Sequence, residues 1–198
     1  MNALQFAIKN WKIEALELLL SNPKIDVNLR TTFYGTPLFY AIKQECLPAV
    51  ELLLKRPDVD INEEDDIIGE CPLKYACLNR CHDSLALLLE DEELEINTQD
   101  SQGMTALMHA AVDGDYTAIK LLLERPDVDV NLQSEDGTTA LMFAFATKNV
   151  ECAKLLLKHP DIDLDLKDNY NQTAEDIADS MDIPAAPGMI AYARNRAA

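Results

Sequence analysis

The chain has 198 residues, 48% apolar and 26% charged, with 35 acidic side chains against 17 basic ones. A formal charge of −18 favours solubility and repels nucleic acid and anionic membrane, so neither is expected as a partner. No apolar run reaches the roughly 18 residues that a membrane helix needs. The opening stretch, MNALQFAIKNWKIEALELLL, lacks the basic start and unbroken apolar core of a signal peptide and reads as two short amphipathic helices. Cys46, Cys71, Cys77, Cys81 and Cys152 form no paired framework, which points to a reducing compartment and a cytoplasmic protein.

From there one phrase recurs: LLLSNPKIDVN at 18–28, LLLKRPDVDIN at 52–62, LLLEDEELEIN at 87–97, LLLERPDVDVN at 121–131 and LLLKHPDIDLD at 155–165. Its third leucine falls at Leu20, Leu54, Leu89, Leu123 and Leu157, spaced by 34, 35, 34 and 34 residues. A second phrase keeps step: TPLFYA, CPLKYA, TALMHA, TALMFA and TAEDIA, ending at Ala41, Ala76, Ala110, Ala144 and Ala178. Ala7 extends the alanine series backwards. Two markers with a common period define a repeat array.

Residues 101–133 give the physics of one unit. Gly103 suits a tight turn with positive φ, and Thr105 a helix N-cap. Ala106, like Pro37 and Pro72 elsewhere, takes the first helical position, where a missing N–H costs nothing. A helix over about 106–113 should end at Gly114, and Asp115 should cap a second helix that Pro126 stops. Helices this short are marginal alone, and three consecutive leucines need cover on several sides, so each unit completes its core only against the next. Trp11, Glu45, Arg80 and Lys148 stand at the Gly114 position, where a retained positive φ costs each about 1 kcal/mol.

These phrases resemble the ankyrin repeat, with its Thr-Pro-Leu-His-x-Ala segment, leucine-rich second helix and Asp-Val-Asn, over roughly residues 2–183. The resemblance implies an all-α solenoid of stacked helix-turn-helix units joined by β-turn fingers. It places units at about 1–30, 31–64, 65–99, 100–133 and 134–167, a cap at 168–183, and a tail at 184–198 that is either a short helix or disordered. The usual histidine position holds Phe39, Lys74, Met108 and Met142, and Glu92 replaces the loop proline, so the EDEELE loop should be the least regular. Both ends read as caps, for which a polar outer face is expected, with Asp176 and Asp179 facing water.

Little catalytic chemistry stands out. Cys71, Cys77, Cys81 and His82 are close in sequence, but their spacing is not that of a zinc site, and a metal-binding or hydrolytic protein using them is the alternative reading. His109 reads as a packed or satisfied histidine, and no cofactor is implied. The array consumes nearly the whole chain, which points to a non-catalytic protein-binding module that acts by occupancy, as adaptor or inhibitor, and a monomer is expected. In ankyrin-type proteins, partners meet the turn tips and the exposed face of the first helix. Carried over, the tips hold Phe33, Tyr34, Ile67, Ile68, Glu70, Met104 and Tyr170, and the helix face Phe39, Lys74, Met108 and Met142. Apolar residues in normally polar turns suit a partner site, and the charge would steer a basic one. The resemblance extends to proteins of host-associated bacteria and protists that enter host cells. Nothing in these residues shows secretion.

Overall fold

All but one of the first helices begin on a side-chain N-cap. In the computed structural model, which describes residues 1–64 and 70–197, Thr36, Thr105, Thr139 and Thr173 each accept the backbone N–H three residues on. These caps open α3 (Pro37–Lys43), α7 (Ala106–Val112), α9 (Ala140–Ala146) and α11 (Ala174–Ser180). Asn2 does the same for α1 (Ala3–Lys9), whereas Cys71 offers no side-chain bond to α5 (Pro72–Leu78). The second helices are α2 (Ile13–Leu20), α4 (Leu47–Leu54), α6 (His82–Leu89), α8 (Tyr116–Leu122) and α10 (Val150–Leu156). Asp115 caps α8 as expected, accepting from Ala118 N–H at 3.1 Å. The tail is helical, as α12 (Ala186–Ala197).

Between first and second helix the chain reverses through one residue of positive φ. Gly114 takes φ 63°, and Trp11, Glu45, Arg80, Lys148 and Asp182 take 51–59° at the same place. The backbone imposes this. The N–H just after that residue donates to the repeated alanine's carbonyl: Lys12 to Ala7, Cys46 to Ala41, Cys81 to Ala76, Asp115 to Ala110 and Asn149 to Ala144, at 2.8–2.9 Å. A left-handed residue is what lets a helix close on such a bond.

The chain divides into two compact units, Met1–Glu95 and Ile96–Ala198. In the first, α1, α3 and α5 form one layer and α2, α4 and α6 the other. In the second, α7, α9 and α11 form one layer, α8 and α10 the other, and α12 packs on α11. The four leucine triplets after the first behave as their lack of a common face demands. The middle leucines Leu53, Leu88, Leu122 and Leu156 are fully buried, while their predecessors Leu52, Leu87, Leu121 and Leu155 are half-buried against neighbouring helices. Each buried leucine contributes about 1.5–3 kcal/mol.

The Asp-x-Asn connectors are tied pairwise. Asn28 donates to the carbonyl of Asp58 and accepts the N–H of Asp60. Asn62 does so with Glu93 and Glu95, Asn97 with Asp127 and Asp129, and Asn131 with Asp161 and Asp163, all at 2.6–2.9 Å. The EDEELE loop therefore keeps the common geometry, contrary to expectation: Asp91 accepts from Glu93 N–H and Leu94 is buried, so the proline is dispensable. The first hairpin also departs from the expected polar cap, since Phe6, Trp11 and Leu18 are all more than half exposed. Asp176 and Asp179 of α11 are exposed as expected.

The two chemistries at the helix–helix turn predict opposite responses. A Cβ on Gly114 would lie 2.6 Å from Asn149 Oδ1 as well as in the left-handed region. Gly114→Ala should therefore cost about 2 kcal/mol in urea unfolding. Lys148→Gly, relieving strain at φ 59°, should add up to about 1 kcal/mol after the extra freedom of the unfolded chain is deducted.

Candidate functional site

The candidate surface begins at a turn that the sequence builds from aromatics. In the first unit, Thr31 and Gly35 pair across a tight turn, with Gly35 at φ 62° and Gln5 Nε2 donating to its carbonyl at 2.8 Å. Phe33 sits at the apex, 76% exposed. Tyr34 is half-buried and meets Tyr40 edge to face at 5.1 Å, which anchors the turn on α3. One helix along, Phe39 meets Tyr75 of α5 at 5.0 Å. Glu70 and Lys74 are half-buried, and Lys43 and Arg80 are exposed. Burial raises the pKa of both Tyr40 and Tyr75; Tyr34 adds to it at Tyr40, and Cys81, Glu70 and Glu45 add at Tyr75. Both tyrosines thus stay neutral as hydrogen-bonding, apolar-bodied groups inside a partly anionic surround.

In the second unit, Met104 is half-buried, Gln102, Glu135 and Asp136 are exposed at the turn tips, and Tyr170 stands 76% exposed. Adjacent fingers are joined by Glu135 N–H to the Gln102 carbonyl and Asn169 N–H to the Asp136 carbonyl, at 3.0 and 2.9 Å. His109 Nε2 lies 2.8 Å from Asp100 Oδ2. Burial acts to raise the Asp100 pKa, but His109 and the N–H groups of Met104 and Gln102 outweigh it and hold the carboxyl below the usual aspartate range. This histidine is satisfied within its own turn, as its sequence context suggests.

Three expected face residues are corrected. Phe39, Met108 and Met142 are each only 1% exposed and cannot meet a partner in this conformation. They are the third residues of their helices, and such side chains turn back over the N-cap. Met108 and Met142 bring Sδ to 3.4 Å from the N–H of Thr105 and Thr139. Lys74, whose N-cap Cys71 makes no such bond, remains half-buried. The next residue in each phrase faces further out: Tyr75, His109 and Phe143 are half-buried, though Tyr40 is covered. Ile67 and Ile68 lie outside the described residues.

The cysteine and histidine residues at 71–82 do not converge. Cys77 is buried in α5, while Cys71 and Cys81 head different helices. Among the described residues no group of three or more His, Cys, Asp or Glu could hold a metal ion. Burial raises the thiol pKa of Cys46 and Cys81, with Glu45 adding at Cys81, so neither is a thiolate nucleophile at neutral pH. Among the described residues no helix is long and apolar enough to cross a membrane.

A family model described as ankyrin repeats (3 copies) matches residues 1–65, 57–134 and 126–182. The chain belongs to the ankyrin-repeat family. Its all-α fold is the ankyrin solenoid, and ankyrin repeats are protein-interaction modules, generally non-enzymatic. Among solved structures it is similar to the ankyrin repeat protein EF0377, at 27% identity and a TM-score of 0.80 over 98% of this chain and 96% of that one. An ankyrin repeat domain from Acinetobacter baumannii AYE is 25% identical with a TM-score of 0.84, covering 96% and 97%. The ankyrin repeat domain of Bcl-3 shares the fold at 20% identity and a TM-score of 0.67, covering 90% and 94%. No curated protein matches the chain.

Burial separates the ankyrin face into residues that can be altered freely and those that cannot. Phe33→Glu and Tyr170→Glu should each stay within about 0.5 kcal/mol of the parent in chemical denaturation. Met108→Glu, which buries an unpaired charge, should cost more than about 3 kcal/mol. The Asp100–His109 bond predicts a pH effect. Because the folded pKa of Asp100 is depressed, its contribution is present above the ordinary value of 3.8 and is lost as pH falls through the lower folded pKa. Asp100→Asn should therefore flatten the acid limb of the stability profile below pH 3.8, measured by urea midpoints across pH.

Proposed function

We propose that the protein binds a partner protein through the aromatic turn of its first unit and acts by occupying that partner, as an adaptor or inhibitor. The observation that carries this reading is Phe33, a large apolar side chain 76% exposed at the apex of a turn held rigid from below by Tyr34 on Tyr40. Aromatic anchors on a preorganised support lose little entropy on binding and commonly dominate interface energetics. On this reading the half-buried Glu70, Lys74 and Tyr75 supply further polar contacts in the first unit, and Met104 and Tyr170 are contact positions within the second. The charge of −18 favours a partner with a basic surface by speeding encounter. None of the five cysteines is in a disulfide, which suits a reducing, cytoplasmic setting; a monomer is part of the same reading.

The test uses the full chain as bait beside Phe33→Glu and Tyr170→Glu variants whose folding has been checked. A protein captured by the parent and lost by Phe33→Glu is the expected result. Retention by Phe33→Glu with loss by Tyr170→Glu would move the site to the second unit. With the captured protein purified, its association rate should fall steeply as salt rises, and a rate independent of salt would remove the steering argument.

A further inference from the structure

Away from the finger turns, the second unit carries an apolar depression with a cationic rim. Beside α10, where α12 lies on α11, is a groove of about 340 Å³ lined by Lys154, Leu157, Lys158, Gly188, Met189 and Tyr192. Leu157 forms a floor that is 4% exposed, while Tyr192 on the opposite side is 63% exposed. Gly188 lies in the first turn of α12, and a Cβ there would meet nothing within 4 Å. Glycine is a poor helix residue, by roughly 0.5–1 kcal/mol against alanine. Gly103, Gly114 and Gly137 have a positive φ and a close neighbour to account for them, and Gly188 has neither. Its effect is to keep one wall of the groove low.

Charge at this groove runs against that of the chain. Residues 184–198 contain two arginines and no acid. Arg194 is paired with Asp165 at 3.1 Å and Glu175 at 3.3 Å, and Arg196 donates to the Lys158 carbonyl at 2.8 Å. Lys154 shares a solvent-exposed pair with Glu151, which screening makes weak. The Lys158 ammonium makes no ion pair among the described residues. Two cations, one in the last turn of α10 and one just past its end, thus overlook an apolar floor in a molecule of charge −18.

We propose that the groove between α10 and α12 docks an acidic amphipathic helix of a partner protein, with apolar anchors over Leu157 and Met189 and carboxylates at Lys154 and Lys158. Carboxylates on such a helix suit the two lysines, one in the last turn of α10 and one in the turn just past its end. A surface depression that is partly open suits a chain segment, whereas a small molecule needs a pocket that buries most of its surface. This inference does not depend on the aromatic turn of the first unit.

The probe is a short fluorescent synthetic helix with a leucine stripe flanked by glutamates, titrated with the full chain and read by anisotropy. Saturable binding is expected, weakened about tenfold or more by Lys154→Glu with Lys158→Glu, and by exchanging the probe's glutamates for lysines. Gly188→Glu should weaken it similarly while leaving the melting temperature unchanged or raised, since its Cβ has open space and an acid suits a helix's first turn. Gly188→Ala should keep binding. No saturable binding, or binding indifferent to Gly188→Glu and to the lysine reversals, would overturn the proposal. So would self-association of the chain that Gly188→Glu abolishes and the probe does not compete with, since the occupant would then be a second copy.

Discussion

The fold depends on four asparagine side chains at the ends of the connectors. Asn28, Asn62, Asn97 and Asn131 each satisfy one carbonyl and one N–H of the following connector. A connector has no helix or sheet to supply these partners, so the amide side chain replaces a missing strand. Asparagine is suited to this because one planar group presents donor and acceptor together. Each bond contributes only about 1 kcal/mol net. Their larger effect is on register: the spacing of one hairpin from the next is set by a side chain of fixed length. The apolar layers pack in phase because the connectors are tied in phase.

That constraint explains why the helices can be so short and the turns so strained. A helix of seven or eight residues has no stability of its own, and the array holds it in place from both sides. With the hairpin imposed, the reversal between its helices must be left-handed whatever residue occupies it. Trp11, Glu45, Arg80 and Lys148 accept that geometry at a cost which packing offsets. Function is then confined to positions that neither cap, pack nor tie. Phe33 and Tyr170 meet that condition, and Met108 does not.

Periodicity made most of the architecture legible. The alanine and leucine registers located the five hairpins from α1 to α10, and Thr105, Gly114 and Asp115 declared one whole unit. What periodicity could not convey was rotation about the helix axis: Phe39, Met108 and Met142 occupy a position often read as a contact face, yet all three are buried, the two methionines against the N–H of their N-caps. The EDEELE loop shows a second limit. Its missing proline suggested irregularity, but Asp91 and Asn62 hold the loop by hydrogen bonds that the letter pattern does not display. The groove beside α12 was invisible for a different reason, since it arises from a non-repeating helix meeting a repeating one.

The side-chain ties between successive hairpins carry one more consequence. They join residues about one repeat apart, from 26 between Gln5 and Thr31 to 38 between Ala111 and Asn149. Among the described residues these ties therefore close loops of one modest size, so they form without waiting for distant parts of the chain to meet. A hairpin acquires its partners as soon as its neighbour has been synthesised. Such a chain can start to fold at whichever adjacent pair is most stable and grow outward, so ordering on the ribosome can proceed in step with elongation.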